Sequence, residues 1–242
     1  MTIKDKLRIA KINTHIFGYW TTFKMSLLYL LGTFLGEPPR DKFDNKYGVS
    51  TSEALSLDEL GIDDKYAVFY VPTHERVMEH ILKNININYA DFVFVDFGCG
   101  KGRAVLMAMG IPFKQVIGVE LSSVSSNIAK KNVEIFNSKG LQRCDNVEVR
   151  CENAINFQIP NSNVVFYFYR PFIGPVLDLV LSNICEAGSK SSNRFLIAYS
   201  CITSDVNRLL TSKKCIEKIK EFSIINIEYS WSLWEYRKSI KG

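Results

Sequence analysis

The sequence predicts an α/β protein built on a doubly wound, mostly parallel sheet, and three observations carry that reading. Residues 93–103, Val-Phe-Val-Asp-Phe-Gly-Cys-Gly-Lys-Gly-Arg, form an apolar strand run that breaks into glycines at alternate positions. A second apolar run, Val116-Ile117-Gly118-Val119-Glu120, ends in a carboxylate about 20 residues beyond Gly100, the offset at which an acid accepts hydrogen bonds from ribose hydroxyls. From residue 92 onward, strand-like apolar runs alternate with segments of helical periodicity, the pattern of a parallel sheet with crossover helices.

In chain order, the first expected element is an N-terminal helical extension over 1–42. Its stretch 16–36 is apolar and aromatic but interrupted by Lys24 and several Thr and Ser residues, too short an uninterrupted run to span a bilayer. It reads as a helix packed on the catalytic domain, or as an interfacial helix whose Phe17, Tyr19, Trp20 and Phe23 enter a membrane surface while basic residues meet anionic headgroups. Glu37-Pro38-Pro39-Arg40-Asp41 breaks the pattern and opens the main domain, 43–242. Ser56 to Gly61 reads as a short capped turn, and Thr73 to Lys83 as a helix that buries Val77, Met78, Ile81 and Leu82 on one face. Strands are expected at Phe92–Phe97, Gln115–Glu120, Val147–Cys151, Val164–Tyr169 and Arg194–Cys201, with a helix from Arg103 to Met109 after the glycines. Ile224–Tyr229 and Leu233–Arg237 read as closing strands, which makes the sheet seven-stranded.

At 242 residues, with 47% apolar and 23% charged residues, the chain can bury a full core and lacks the profile of disorder. The net charge of +5 is modest, and Lys4, Lys6, Arg8, Lys11 and Lys24 supply much of it. No basic stripe interleaved with aromatics marks the catalytic segments, so a nucleic-acid partner is disfavoured. The six cysteines contain no Cys-x-x-Cys pair and the three histidines no metal-ligand spacing, so no metal site is expected. The cysteines read as reduced, mostly buried thiols in a cytoplasmic protein.

Glycines at 98, 100 and 102 let the backbone turn sharply and approach a ligand. A dinucleotide fingerprint would place its third glycine at position 103, where Arg103 stands, which disfavours a nicotinamide cofactor and a hydride-transfer enzyme. Asp96 would repel a pyrophosphate but suits a cation. S-adenosyl-L-methionine, with an α-ammonium and a sulfonium, matches.

Through Asp96-Phe97-Gly98-Cys99-Gly100-Lys101-Gly102 and Gly118-Val119-Glu120-Leu121 the chain resembles the class I S-adenosylmethionine-dependent methyltransferases. Phe43-Asp44, Tyr47-Gly48-Val49-Ser50-Thr51, Tyr70-Val71-Pro72-Thr73 and Tyr167-Phe168-Tyr169-Arg170-Pro171-Phe172 extend the resemblance to a bacterial subgroup over roughly residues 43 to 236. The resemblance implies a Rossmann-like fold and methyl transfer to a protein side chain or small molecule, with a non-catalytic S-adenosylmethionine-binding module as the alternative. It implies a cofactor site made of Thr73, Asp96, Gly98, Cys99, Gly100, Gly102, Glu120, Leu121, Asn153 and Ala154. Within it, Asp96 would lie near the ammonium, Glu120 on the ribose, Leu121 over the adenine, position 153 at its amine, and Thr73 at the methionine carboxylate. Tyr169 and Arg170 are the candidates for acting on the acceptor.

The chain departs from the family at two positions. Asn153 stands where an aspartate is usual, but its amide still offers a carbonyl acceptor. Arg170 replaces an asparagine, so donors and a permanent charge stand where an amide could have accepted a hydrogen bond from an amine; an anionic or carbonyl-bearing acceptor is favoured unless the side chain is solvated or structurally paired. His74 reads either as a general base at the cofactor mouth or as a structural residue at a helix start. Lys101 and Arg103 read as complements to a substrate anion or as solvated helix-start residues.

Overall fold

The structure, a computed structural model, describes residues 42–238 apart from 54, 56–58, 62–65, 69 and 223–229. The extension expected over 1–42, except Lys42, and the closing strand expected at 224–229 lie outside the described residues, as does the first half of the turn at 56–61. Helix α1 (Lys42–Tyr47) precedes α2 (Glu75–Asn84), followed by β1 (Phe92–Phe97), α3 (Arg103–Met109), β2 (Gln115–Glu120), α4 (Ser123–Ser138) and β3 (Val147–Cys151). Then come β4 (Asn163–Tyr169), α5 (Pro175–Ser189), β5 (Phe195–Ser200), α6 (Ser204–Ser212), β6 (Ile216–Phe222) and β7 (Trp231–Tyr236).

The strands form one seven-stranded sheet in the order β3-β2-β1-β4-β5-β7-β6, parallel except where β7 pairs antiparallel with β5 and β6. Every residue of β1 and β5 is buried, because helices cover both faces of these central strands. Side chains alternate between two cores: Phe94, Val165, Tyr167 and Leu196 pack on one face with α2 and α3, whereas Val95, Phe97, Phe166, Phe168 and Ile197 pack on the other with α5. Tyr167 is therefore a core residue and its neighbour Tyr169 is half-buried at the strand's end.

Local signals fix the helix starts. Ser122 caps α4 by accepting from the Ser125 amide at 3.3 Å, Thr203 caps α6, and Gly174, at φ 60°, leads into Pro175 at the first position of α5. Leu177, Val180, Leu181 and Ile184 then form the buried stripe of α5. Edge strand β6, Ile-Glu-Lys-Ile-Lys-Glu-Phe, was not expected; its charged side chains suit a sheet edge that must not recruit another strand. No helix among the described residues is long and apolar enough to cross a membrane.

The expectation of six reduced thiols is corrected. Cys185 on α5 and Cys215 just before β6 form a disulfide, with Cα atoms 6.2 Å apart across 30 residues. No short-range spacing announces this pair; the fold brings it together where Lys213, leading into β6, bonds Asp178 and Ser182 of α5 at 2.7 and 2.8 Å. Cys151 departs from the expectation of mostly buried thiols and is exposed because β3 is an edge strand, whereas Cys99, Cys144 and Cys201 are buried and in no disulfide.

Candidate functional site

The sheet order reverses direction between β1 and β4, and a cleft opens at the carboxyl ends of these strands, where doubly wound sheets bind ligands. Counted out to open solvent it holds about 980 Å³ of empty space. Thr73, Asp96, Gly98, Cys99, Gly100, Glu120, Leu121, Asn153, Ala154, Tyr169 and Arg170 all line it. Gly102 does not. It stands at the foot of α3 with φ 87°, where a Cβ would come 3.1 Å from that of Ala129 on α4, so its smallness serves helix packing.

The glycine loop is tied to β2. The Gly98 and Cys99 amides donate to the Val119 carbonyl at 2.8 and 3.1 Å, and the Gly100 amide donates to the Glu120 carboxylate at 2.8 Å. The other Glu120 oxygen accepts from the Ser122 amide, also at 2.8 Å. Both glycines have positive φ, 68° and 54°. A Cβ at Gly98 would lie 2.2 Å from the Pro171 Cβ, and one at Gly100 would lie 2.1 Å from the Tyr70 ring. The approach these glycines permit is thus first of all that of Pro171 and Tyr70, which close over the loop.

Asp96 and Glu120 make the floor acidic. Burial, then the Glu120 charge, pushes the Asp96 carboxyl well above the usual carboxylate range. Burial also raises Glu120, against the lowering effect of the amides of Ser122, Gly100 and Leu121. Among the described residues no donor or cation meets the Asp96 carboxylate, although it is 3% exposed. Cys99 between them is likewise raised by burial and by both carboxylates, so its thiol stays protonated and is no nucleophile.

On the remaining walls, the Thr73 hydroxyl lies 3.2 Å from that of Tyr167, which fixes its rotamer. The Asn153 carbonyl accepts from the Ile155 amide at 3.0 Å and caps the 3₁₀ turn Ala154–Asn156, leaving one lone pair for a further donor. Leu121 is 45% exposed and presents an apolar face at the opening. Across the cleft, Arg170 is buried with φ 44°. A left-handed non-glycine residue costs about 1–3 kcal/mol, and the following proline restricts the backbone further.

His74 takes its structural reading: it caps α2, its Nδ1 accepting from the Arg76 amide at 3.3 Å, and it does not line the cleft. Lys101 and Arg103 are not solvated as expected but buried, because residues 43–53 lie over them. Lys101 Nζ lies 3.5 Å from Glu53, and Arg103 is 3.4 Å from Asp44, bonds Thr51 at 2.7 Å and stacks on the Phe43 ring.

Comparison with known proteins places this geometry. The family model for histone methylation protein DOT1 matches residues 64–152, which run from before α2 through β3. The solved structure of the putative methyltransferase yhhF from Escherichia coli superposes with a TM-score of 0.55 at 18% identity, over 69% of this chain and 89% of that one. The PH0226 protein from Pyrococcus horikoshii OT3 superposes at 0.49 with 16% identity, over 68% and 89% of the two chains. An RNA methyltransferase from Salinibacter ruber, in complex with S-adenosyl-L-homocysteine, superposes at 0.46 with 20% identity, over 69% and 92%. The fold is that of the class I methyltransferases.

In this methyltransferase fold, three features of the cleft escaped the sequence reading. Tyr70 covers the glycine loop and anchors through its hydroxyl to the Thr51 carbonyl at 2.7 Å. Asp44 gathers residues 51 and 52, accepting from both amides at 2.8 Å and from both hydroxyls at 2.5 and 2.7 Å. Burial alone would raise its carboxyl, but these four bonds outweigh burial and lower it. Leu60, whose carbonyl accepts from Ser122 at 2.7 Å, adds an apolar wall. The Phe-Asp and Ser-Thr pairs of the sequence were visible as motifs, but their purpose, a strap over Arg103 and the glycine loop, depends on contacts across 52 to 59 residues.

Proposed function

We propose that the cleft binds S-adenosyl-L-methionine and that the protein transfers its methyl group to an acceptor, a protein side chain or small molecule. The observation that carries this reading is Asp96: a buried carboxylate without a partner among the described residues, beside a second carboxylate, in the floor of a cleft. Such a pair calls for a cation with donors, and an α-amino acid ammonium supplies both. The remaining groups fit the same ligand. Glu120 keeps lone pairs for a diol, Leu121 and Ala154 offer apolar surface to a purine, and the Asn153 carbonyl can accept from an exocyclic amine. A nicotinamide dinucleotide fits poorly, since Asp96 would face its phosphates and Arg103, where a third glycine would be needed, is committed to Asp44.

Bound there, S-adenosyl-L-methionine would supply a methyl carbon activated by its sulfonium. Little covalent help is then required of the protein, and orientation dominates; holding the reacting atoms in near-attack geometry contributes up to about 7–11 kcal/mol. Asp96, Glu120 and the strap would fix the donor, while Tyr169 and Arg170 would face the acceptor from the end of β4. The DOT1 match ends at residue 152, before Tyr169 and Arg170, so the acceptor named for that family is not carried over.

Turnover decides between an enzyme and a cofactor-binding module. Methyl-labelled S-adenosyl-L-methionine incubated with the purified protein and a lysate of cells lacking it should label a discrete product. Tight cofactor binding with no labelled product in any fraction would favour the non-catalytic module.

A further inference from the structure

The acceptor end of the cleft carries a charge that neither the fold nor the proposed cofactor uses. Arg170 is 8% exposed and lines the cleft, yet among the described residues no carboxylate, carbonyl or hydroxyl meets its guanidinium. Arg103, the other arginine of the cleft wall, is by contrast paired with Asp44 and Thr51. Withdrawing an unpaired cation from most of its hydration is unfavourable, and here the backbone adds to the cost: φ is 44° at a residue that also precedes a proline. Asparagine or glycine would adopt this conformation more readily and bring no charge.

Its position follows from the packing of the next residue. Pro171 rests on Gly98, with no room for a Cβ between them, so the turn after β4 is pressed against the glycine loop two residues from Asp96. The cleft therefore holds two carboxylates, at the ends of β1 and β2, suited to a cationic ligand group, and a cation, at the end of β4, suited to an anionic one. The guanidinium presents donors only, in a fork that matches a carboxylate or phosphate.

We infer that Arg170 is the recognition residue for an oxyanion, carboxylate or phosphate, borne by the methyl acceptor, and that the enzyme is selective for anionic acceptors. This rests on the reading of the cleft as a methyltransferase site. The oxyanion is held and is not itself required to be the methylated atom. The buried hydroxyl of Tyr199, on the neighbouring strand β5, also lacks a partner, and Arg170 is close enough to influence its ionisation.

Calorimetry with defined probes tests the inference. The full-length protein is first titrated with S-adenosyl-L-homocysteine, then, saturated with it, with malonate and separately with inorganic phosphate. The wild type should bind at least one anion, and which one it prefers tells carboxylate from phosphate recognition. Arg170→Asn, whose side chain tolerates the left-handed backbone, should weaken that binding tenfold or more, leave S-adenosyl-L-homocysteine affinity within about twofold, and melt no lower than the wild type. Arg170→Lys, which keeps the charge without the fork, should fall between; Arg170→Gly replaces Arg170→Asn if the latter does not fold. Absence of anion binding to the wild type, or equal binding to the variants, would overturn the inference. So would a tenfold loss of S-adenosyl-L-homocysteine affinity in Arg170→Asn, which would assign Arg170 to the cofactor's own carboxylate. Failure of the wild type to bind S-adenosyl-L-homocysteine appears in the first titration and counts against the cofactor reading instead.

Discussion

Gly100→Val should weaken binding of S-adenosyl-L-homocysteine a hundredfold or more. Position 100 has φ 54°, which a β-branched residue scarcely adopts, and its Cβ would lie 2.1 Å from two carbons of the Tyr70 ring. Tyr70 cannot swing away cheaply, because its hydroxyl is bonded to Thr51 in the strap held by Asp44. The loop must yield instead, and with it the bond from the Gly100 amide to Glu120. Backbone strain and overpacking each cost about 1–3 kcal/mol, so a loss of affinity of a hundredfold or more is expected, with a lowered melting temperature. A cycle of Gly100→Ala, Tyr70→Ala and the double variant isolates the clash: removing the ring should recover about 1 kcal/mol or more of the alanine variant's loss. Full additivity would place the damage in the backbone alone.

Asp96→Asn should act in opposite directions on stability and on ligand affinity. Because burial and Glu120 raise the Asp96 carboxyl above its unfolded value, the native state retains a proton that the unfolded chain loses. Its contribution to stability is therefore fully present below the ordinary carboxylate range and is lost as pH rises toward the raised native value. At neutral pH the asparagine variant, with no carboxyl to be held protonated or buried charged beside Glu120, should be more stable than the wild type by at least about 1 kcal/mol, measured by denaturant unfolding. Affinity should fall by about 1.5–3 kcal/mol, the contribution of a hydrogen bond to a charged group. In the wild type the carboxyl must ionise to receive an ammonium, so binding should release a proton and tighten as pH rises from the carboxylate range toward about 7.7, where an α-amino group begins to deprotonate. Titrations in buffers of different ionisation enthalpy read the proton directly. A variant that binds as well as the wild type would remove Asp96 from the ligand site.

The parts of this site that were legible in the sequence are those set by local pattern. Strands β1, β2 and β3 and helix α3 fall on the residues expected, because central parallel strands buried on both faces read as short apolar runs and glycines mark where β1 gives way to a helix. The convergence of Asp96, Glu120, Asn153 and Arg170 also followed, since a doubly wound sheet brings the ends of its strands to one cleft. Illegible features depend on contacts between distant segments. Strand β6 carries Lys and Glu at alternate or adjacent places and is strand by pairing with β7 rather than by pattern. The buried pairing of Arg103 with Asp44 spans 59 residues, and the Cys185–Cys215 bond spans 30. At Arg170 the residue type was visible, but its left-handed backbone runs against the extended preference of a residue before proline and could not be read.

Equilibrium titration of the wild-type protein with S-adenosyl-L-homocysteine, at pH 7 and in two buffers of unequal ionisation enthalpy, tests the central claim most directly. One site should bind with a dissociation constant in the micromolar range, about −8 kcal/mol, the protons exchanged being read from the difference in heat between the two buffers. No saturable heat at millimolar ligand, or equal heat from a Gly100→Val protein that is still folded, would contradict it.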